Sequence, residues 1–252
     1  MKAPMSIICI LFLFFLLNNS ASAQAFADLE TGAVFTGYNH VRIPGDQGTR
    51  FSLKDDLHAG TTIFYRLRAG YMFNPRHSLS LLYAPLETRS DGRVERDISF
   101  QGVLFPANTP IDGLYKFNSY RLTYRYEIVN KPGFAFGLGF TAKIRDAKIR
   151  LAAPGLSAGK TNVGFVPIIN FRLWWQVDNR LGLLFEGDAL AAPQGRAEDV
   201  QLAATYKFSD RLGIRAGYRI LEGGADNARV YNFALFHYAS LGITYTFVEK
   251  AR

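Results

Sequence analysis

The chain has 252 residues, of which 48% are hydrophobic, and 29 Lys and Arg against 21 Asp and Glu give it a net charge of +8. A positive excess of this size is compatible with nucleic acid, anionic lipid or anionic solutes as partners, so the position of the charges must decide between them. The only cysteine, Cys9, lies near the N-terminus. The rest of the chain therefore cannot form a disulfide or a cysteine-ligated metal site.

The N-terminus has the pattern of a secretory signal peptide. Lys2 precedes an unbroken apolar run over residues 7–17, and Ala21-Ser22-Ala23 supplies the small residues that a signal peptidase recognises. An uncleaved membrane anchor is the alternative, but this run is shorter than the roughly 18 residues that a spanning helix needs. We expect a signal peptide over residues 1–23 and one domain over residues 24–252.

After residue 23 the longest apolar run, residues 163–169, is too short for a membrane helix. Four short polar turn signals separate strand-like segments at residues 74–77, 130–133, 178–180 and 209–211. Longer connections alternate with them at residues 44–59, 90–112, 153–160, 192–197 and 222–227. Nine connections join ten strands, which predicts an all-β, up-and-down antiparallel barrel.

The last strand shows the alternation most clearly. Between residues 230 and 247, Leu241, Ile243 and Tyr245 fall on one face and Ser240, Gly242 on the other, because successive side chains of a strand point to opposite faces. The ten predicted strands cover residues 29–40, 61–73, 78–88, 114–128, 134–150, 161–177, 181–191, 198–208, 212–221 and 230–247.

Two segments do not fit the simple pattern. A small alternation in the second long connection is interpreted as a hairpin outside the barrel, because residues 97–105 are barely long enough for a membrane strand. Pro167 lies in the middle of the sixth strand, where it would remove a ladder donor, so we expect a β-bulge there.

Aromatic residues cluster beside the short turns on the apolar face. Rings at both membrane interfaces are typical of membrane barrels, because an amphipathic ring suits the headgroup level. A membrane barrel is therefore favoured over a soluble, lipocalin-like one. The predicted girdle consists of Tyr71, Phe73, Tyr124, Tyr126, Phe136, Trp175, Tyr206, Phe208, Tyr245 and Phe247.

The opposite face carries most of the charge. By alternation the inward basic residues are Arg66, Arg68, Arg121, Arg125, Lys143, Arg145, Arg172, Lys207, Arg215 and Arg219. The inward acids are Glu127, Glu186 and Asp188, with Glu30 as a possible fourth. Counting from the turn that joins their strands, Arg172 should face Glu186 in an ion pair, and Asp188 should lie opposite Asn170.

This basic lumen has two interpretations. The charges can form a salt-bridge network that fills a narrow barrel, because buried charges must be paired. Alternatively, the arginines left without a carboxylate can line a passage that favours anions. Inward-pointing charges argue against nucleic acid as a partner, whereas Lys148 and Arg150 at the top of the fifth strand are candidates for contact with lipopolysaccharide phosphates.

Catalytic and metal sites have little support in the sequence. His237 and Ser240 are three apart, so a strand places them on opposite faces, where the histidine cannot activate the serine. Glu186 and Asp188, close to Arg172, should stay ionised and so suit neither a general acid nor a base. We expect no cofactor and no metal.

Together the signal peptide, the hairpins, the aromatic girdle and the terminal aromatic resemble the small bacterial outer-membrane β-barrel proteins. The resemblance implies a monomer in the outer membrane, with short turns in the periplasm, longer loops outside, lipid and lipopolysaccharide around it, and assembly by the barrel-assembly machinery. Five residues follow Phe247, whereas the family usually ends on the aromatic. The expected function is a non-enzymatic structural or narrow, anion-leaning, porin-like protein, and the alternative is a surface enzyme acting on lipid A, phospholipid or peptide.

Overall fold

The computed structural model describes residues 24–193 and 195–247. The predicted signal peptide, residues 1–23, lies outside the described residues, as do the five residues after Phe247. In the described part of the chain there is no helix long and apolar enough to span a membrane.

The described residues form fifteen β-strands, several of them longer than predicted. Their bounds are β1 Gln24–Arg42, β2 Phe51–Ser52, β3 His58–Ala59, β4 Thr62–Asn74, β5 His77–Ala84, β6 Glu87–Arg93, β7 Ile98–Phe100, β8 Val103–Phe105, β9 Pro110–Lys131, β10 Phe134–Ala153, β11 Leu156–Gln176, β12 Leu181–Ala192, β13 Gly195–Lys207, β14 Leu212–Asn227 and β15 Val230–Phe247.

Ten of these strands form the wall of a closed barrel, which confirms the predicted strand number and antiparallel topology. The ring runs β1, β4, β5, β9, β10, β11, β12, β13, β14, β15, and β1 pairs with both β4 and β15. The third strand of the wall, β5, ends just before Pro85, and β6 then continues the pairing with β9. The short strands β7 and β8 pair only with each other, so the hairpin is separate from the barrel wall as predicted, but its Ile98, Phe100 and Phe105 are buried in the core rather than outside the barrel.

The two faces of the wall follow the predicted alternation. On β15 the side chains of Phe236, Tyr238 and Ser240 are buried inside the barrel, whereas Leu241 and Ile243 are exposed outside. The interior therefore receives every second residue, and the outer surface is apolar.

The two rims differ in construction. We call the rim with the four turns between β4/β5, β9/β10, β11/β12 and β13/β14 the turn end, and the opposite rim the loop end. At the loop end only two connections are long, between β1 and β4 and between β6 and β9. The other three predicted loops are mostly strand, because β10 to β15 continue upward and end in two-residue turns such as Pro154-Gly155. Gly155 has a φ of +73°, which this turn requires and glycine adopts without strain.

The loop-end half of the lumen is filled with apolar side chains. The two long loops fold inward and pack against the inner wall; Phe51 of the first contacts Phe100 of the second edge to face. This filling, which we call the apolar plug, comprises Ile43, Phe51, Leu53 and Leu57, then Val94, Ile98, Phe100, Phe105 and Ile111, and wall residues including Val34, Val41, Phe64, Tyr115, Leu151, Phe236 and Tyr238.

The bulge predicted at Pro167 is absent. The ladder between β10 and β11 passes through Pro167 without a shift, opposite Ala142. The ladder between β11 and β12 has already ended at Ile169, opposite Ala189. A proline on a strand edge without a neighbour removes no ladder hydrogen bond, so the strand stays regular.

If the apolar outer face contacts lipid, a charge placed on it should destabilise the barrel. Leu241 is 61% exposed on the outside, near mid-height of β15. An arginine at the bilayer midplane costs a membrane barrel about 2–4 kcal/mol. We expect Leu241→Arg to lower the unfolding free energy by that amount, measured by urea unfolding in phospholipid vesicles. Leu104→Arg is the control, since Leu104 is 56% exposed in the β7–β8 hairpin of the loop end; equal effects of the two changes would contradict a lipid-facing outer wall.

Candidate functional site

A buried group of charged and polar side chains crosses the middle of the lumen. All of its members point inward from barrel strands and are less than 6% exposed. We call this group the ionic belt, and its members are Glu30, Arg66, Arg121, Asp188, Asp199, Gln201 and Arg219.

Asp199 on β13 is the centre of the belt. Its carboxylate accepts hydrogen bonds from Arg66 Nη1 at 3.0 Å, Arg121 Nη2 at 2.5 Å and Arg219 Nη1 at 2.6 Å. The strands of Arg66 and Arg121, β4 and β9, each lie four positions from β13, in opposite directions around the ring. A single carboxylate therefore joins distant parts of the wall across the lumen.

Glu30 forms the second centre. Arg219 binds it with two parallel contacts, Nε to Oε1 at 2.8 Å and Nη2 to Oε2 at 2.9 Å. Such bidentate contacts combine charge with fixed geometry. Arg215 donates to Glu30 Oε2 at 3.0 Å and also binds Asp28, so the ion pairs continue toward the turn end.

Small inward residues make room for these long side chains. A Cβ atom at Gly242 would lie 2.5 Å from Arg215 Cζ, and one at Gly137 would lie 2.6 Å from Glu127 Oε2. The glycines of the inner face are therefore a packing requirement of the ion pairs.

Asp188 connects the belt to neighbouring strands. It accepts hydrogen bonds from Arg121 Nη1 at 2.6 Å, Thr141 Oγ1 at 2.7 Å and Asn170 Nδ2 at 2.9 Å. Asn170 lies opposite Asp188 in the ladder, as counting from the turn predicted.

The predicted ion pair between Arg172 and Glu186 is not formed, although the two residues do lie opposite each other. Glu186 instead accepts from Arg68 Nη1 at 3.1 Å, and Glu127 is shared by Arg125 Nε at 3.0 Å and Arg172 Nη1 at 3.5 Å. In a narrow lumen the long side chains project inward and meet groups from other strands, so the ladder neighbour need not be the ion-pair partner.

The lumen is also less basic than predicted. The belt and the ion pairs below it contain seven arginines and six carboxylates, including Asp28 and Asp199, which the sequence analysis missed. The alternation that placed Lys207 inside also places Asp199 inside, and the alternation of Glu30 extends to Asp28, so the signal was present. Within this group only one positive charge is in excess.

Three predicted inward cations lie outside these ion pairs. Lys143 is buried, with its ammonium 4.7 Å from the centre of the Phe117 ring. Arg145 donates to Asn162 nearer the loop end. Lys207 pairs with Asp210 at 2.7 Å at the turn end, where both side chains are largely exposed.

The ten girdle residues all lie on the outer face near the turn end. Three pairs along single strands make edge-to-face contacts, namely Tyr71 with Phe73, Tyr206 with Phe208 and Tyr245 with Phe247, with ring centres 5.3, 4.9 and 4.9 Å apart. Outward placement at one rim is what an interfacial girdle requires, and the girdle role itself stays a prediction.

His237 and His77 contact tyrosine hydroxyls rather than a serine or an acid. Ser240 is buried and bonded to Gln201, whereas His237 contacts Tyr218 outside the barrel, so the pair is on opposite faces. His77 Nδ1 contacts the Tyr124 hydroxyl at 2.7 Å. Among the described residues no group of three His, Cys, Asp or Glu is arranged to hold a metal ion.

A separate ion pair joins the two long loops above the plug. Arg96 donates from Nη1 to Asp56 Oδ1 at 3.1 Å and from Nη2 to Oδ2 at 2.8 Å. Burial raises the pKa of Asp56, but hydrogen bonds from Arg96 and from the Ser52 backbone N–H lower that pKa below its usual value. The loops are thus held together by a pair that depends on an ionised carboxylate.

Replacing one carboxylate of the ionic belt should lower the unfolding free energy strongly. Asp199→Asn removes the shared charge from three buried arginines, and leaving buried charges unpaired costs about 3–5 kcal/mol. We expect that loss in the unfolding free energy in lipid vesicles. Asp210→Asn, which breaks an exposed ion pair, is the control and should leave stability unchanged; an equally small effect at both positions would show that the belt is not structurally required.

The loop pair predicts an acid effect. Because the pKa of Asp56 is lowered by folding, its stabilising contribution is present above the unfolded pKa and is lost as pH falls below about 4. Amide hydrogen exchange in residues 45–57 and 94–106, corrected for intrinsic rates, should accelerate from pH 5 to pH 3, a range in which histidines stay protonated. Asp56→Asn should remove this pH dependence and Asp46→Asn should retain it; the reverse pattern would refute the assignment.

Comparison with known proteins identifies the fold. The outer membrane protease OmpT from Escherichia coli aligns with a TM-score of 0.57 and 12% identity, over 89% of this chain and 97% of that chain. The attachment invasion locus protein Ail of Yersinia pestis aligns with a TM-score of 0.41 and 13% identity, over 89% and 99%. Neisserial surface protein A aligns with a TM-score of 0.34 and 14% identity, over 89% and 97%.

No family model and no curated protein matches the chain. At 12% identity the likeness to OmpT shows the fold alone, and a shared fold does not imply a shared activity. Three observations indicate the same fold: the closed ring of ten strands, the apolar outer face and the likeness to a solved bacterial barrel. The chain therefore has the fold of the small bacterial outer-membrane β-barrel proteins.

Proposed function

We propose that this protein is a non-conducting outer-membrane scaffold that presents its loop end to the cell exterior. The observation that carries the proposal is that the lumen is filled at two successive levels, by the ionic belt and by the apolar plug. An open pore needs a continuous aqueous path, and each level interrupts it independently.

The belt supports closure through its pairing. A selective passage for anions needs guanidinium groups that are free to meet the solute. In the belt Arg219 is bound to Glu30, Asp199 and the Gln201 side chain, and Arg121 is bound to Asp188 and Asp199. These groups are occupied by protein partners, which favours the structural interpretation of the charged lumen over the pore.

The cavities on either side of the ionic belt are consistent with a closed lumen. Toward the turn end a vestibule of about 310 Å³ is lined by residues that include Arg68, Arg125, Arg172 and Glu186. Between the belt and the plug the cavity is about 10 Å³, which is close to the lower limit for one water molecule. The vestibule therefore ends at the belt.

The loop end has a fixed surface that faces away from the barrel. The two long loops are fixed to each other, since Thr49 N donates to Ser99 O at 2.9 Å and Gln101 N donates to Ile43 O at 2.9 Å. The β10–β11 hairpin extends past the end of β12, so its residues 156–168 have no neighbour on the β12 side. Loops that are fixed to each other and a projecting hairpin, on a closed barrel, suit binding rather than transport.

The proposal includes the expected route and surroundings: export with a cleaved signal peptide at residues 1–23, assembly by the barrel-assembly machinery, and a monomer among outer-membrane lipids. The surface-enzyme alternative needs a histidine paired with an acid or nucleophile. His77 and His237 instead contact tyrosine hydroxyls, which favours the non-enzymatic assignment.

Planar bilayer recording tests closure. The purified chain should give no steady conductance, and removing only residues 46–56, part of the plug, should also give none, because the belt remains. Removing the same segment in an Asp199→Asn background should produce ion flow. Anion-selective conductance of the unmodified protein that Arg66→Ala or Arg219→Ala alters would overturn the proposal in favour of the narrow pore.

A further inference from the structure

An aromatic and basic cleft lies on the outside of the barrel near the loop end. Tyr38 and His40 of β1 stack on each other, with ring centres 5.6 Å apart, and Tyr231 and Phe233 of β15 contact edge to face at 5.5 Å. Together with Arg196 they line a cleft of about 270 Å³. We call it the rim cleft.

Three guanidinium groups surround these rings. Arg42 and Arg50 lie 5.2 and 5.0 Å from the centre of the Tyr231 ring, and Arg196 lies 5.0 Å from the centre of Phe233. Arg196 reaches across β14 at Gly224, where a Cβ atom would come within 2.5 Å of the Phe233 ring. Because Gly224 of β14 has no side chain, Arg196 of β13 can contact the Phe233 ring of β15.

The cleft carries excess positive charge. Arg196 is neutralised by Glu222, through Nε at 2.7 Å and Nη2 at 2.8 Å. Among the described residues no carboxylate lies within ion-pair distance of Arg42 or Arg50. Two cations held against one ring without an acid repel each other, so an anion between them would be stabilised.

The height of the cleft identifies the source of the anion. Phe233 is fourteen residues above Phe247 on β15, which is about 35 Å for a strand tilted by 35–45°, whereas the apolar band of an outer-membrane barrel is about 25 Å tall. The cleft therefore faces sideways about 10 Å above the hydrocarbon, at the level of sugar and phosphate groups of the outer leaflet.

We propose that the rim cleft binds the phosphorylated sugar headgroup of an outer-leaflet glycolipid. Arg42 and Arg50 contact a phosphate, and the rings of Tyr231 and Phe233 pack against the apolar face of a sugar. The combination of aromatic faces with guanidinium groups matches this ligand better than a free phosphate ion, which would not use the rings. The proposal is independent of whether the barrel conducts.

The test uses the folded full-length mature chain in detergent and bisphosphorylated lipid A as the probe, with bound lipid counted by native mass spectrometry. Arg42→Ser with Arg50→Ser should weaken binding about tenfold or more, as expected for the loss of two charge-assisted contacts. Arg180→Ser with Arg211→Ser is the matched control, because it makes the same charge change at two exposed positions of the turn end, the opposite rim of the barrel. Its expected effect is less than twofold.

Two further arms separate the possible outcomes. Dephosphorylated lipid A should bind weakly to the unmodified protein, and inorganic phosphate should not compete. If the double variant does not fold, Arg50→Ser alone serves, because the Arg50 side chain is exposed and only its backbone oxygen binds Arg96. Equal weakening by the turn-end control, equal binding of dephosphorylated lipid A, or full competition by inorganic phosphate would overturn the proposal.

Discussion

The fold depends on the burial of paired charges inside a narrow barrel. A carboxylate taken out of water is stable only when opposite charges and hydrogen-bond donors surround it. Asp199 meets this condition with three guanidinium groups from three strands, and Glu30 meets it with Arg219 and Arg215. Because the partners come from distant parts of the wall, satisfying these charges also fixes the cross-section of the barrel.

The belt and the plug divide the interior by chemistry. Below the middle, glycines alternate with arginines and acids, while above it Phe64, Phe236 and the loop residues Phe51 and Phe100 exclude water. Both levels bury side chains from distant strands and so contribute to stability. The fixed loops, the projecting hairpin and the rim cleft lie on the outer surface of the loop end, where we propose that other molecules bind.

Much of this could be predicted from the sequence, because a strand repeats every two residues. The alternation around Leu241 gave the two faces of β15, and counting from a turn placed Asn170 opposite Asp188. The ion-pair partners could not be predicted in this way, since Arg172 and Glu186 are ladder neighbours that bind other groups. Contacts across the lumen depend on barrel diameter and on side-chain length, neither of which the alternation specifies.

If no water path passes the belt, a thiol placed in the belt is out of reach of water-soluble reagents from both sides of the membrane. Residues 24–252 contain no cysteine, so in that part of the chain Ser240→Cys, which is nearly isosteric and lies beside Gln201 in the belt, gives one buried thiol. A charged methanethiosulfonate added from either side of the membrane should leave this thiol unmodified while it modifies Ser78→Cys at the vestibule. Modification of the Ser240→Cys thiol in the folded protein, at a rate close to that of Ser78→Cys, would contradict a closed lumen.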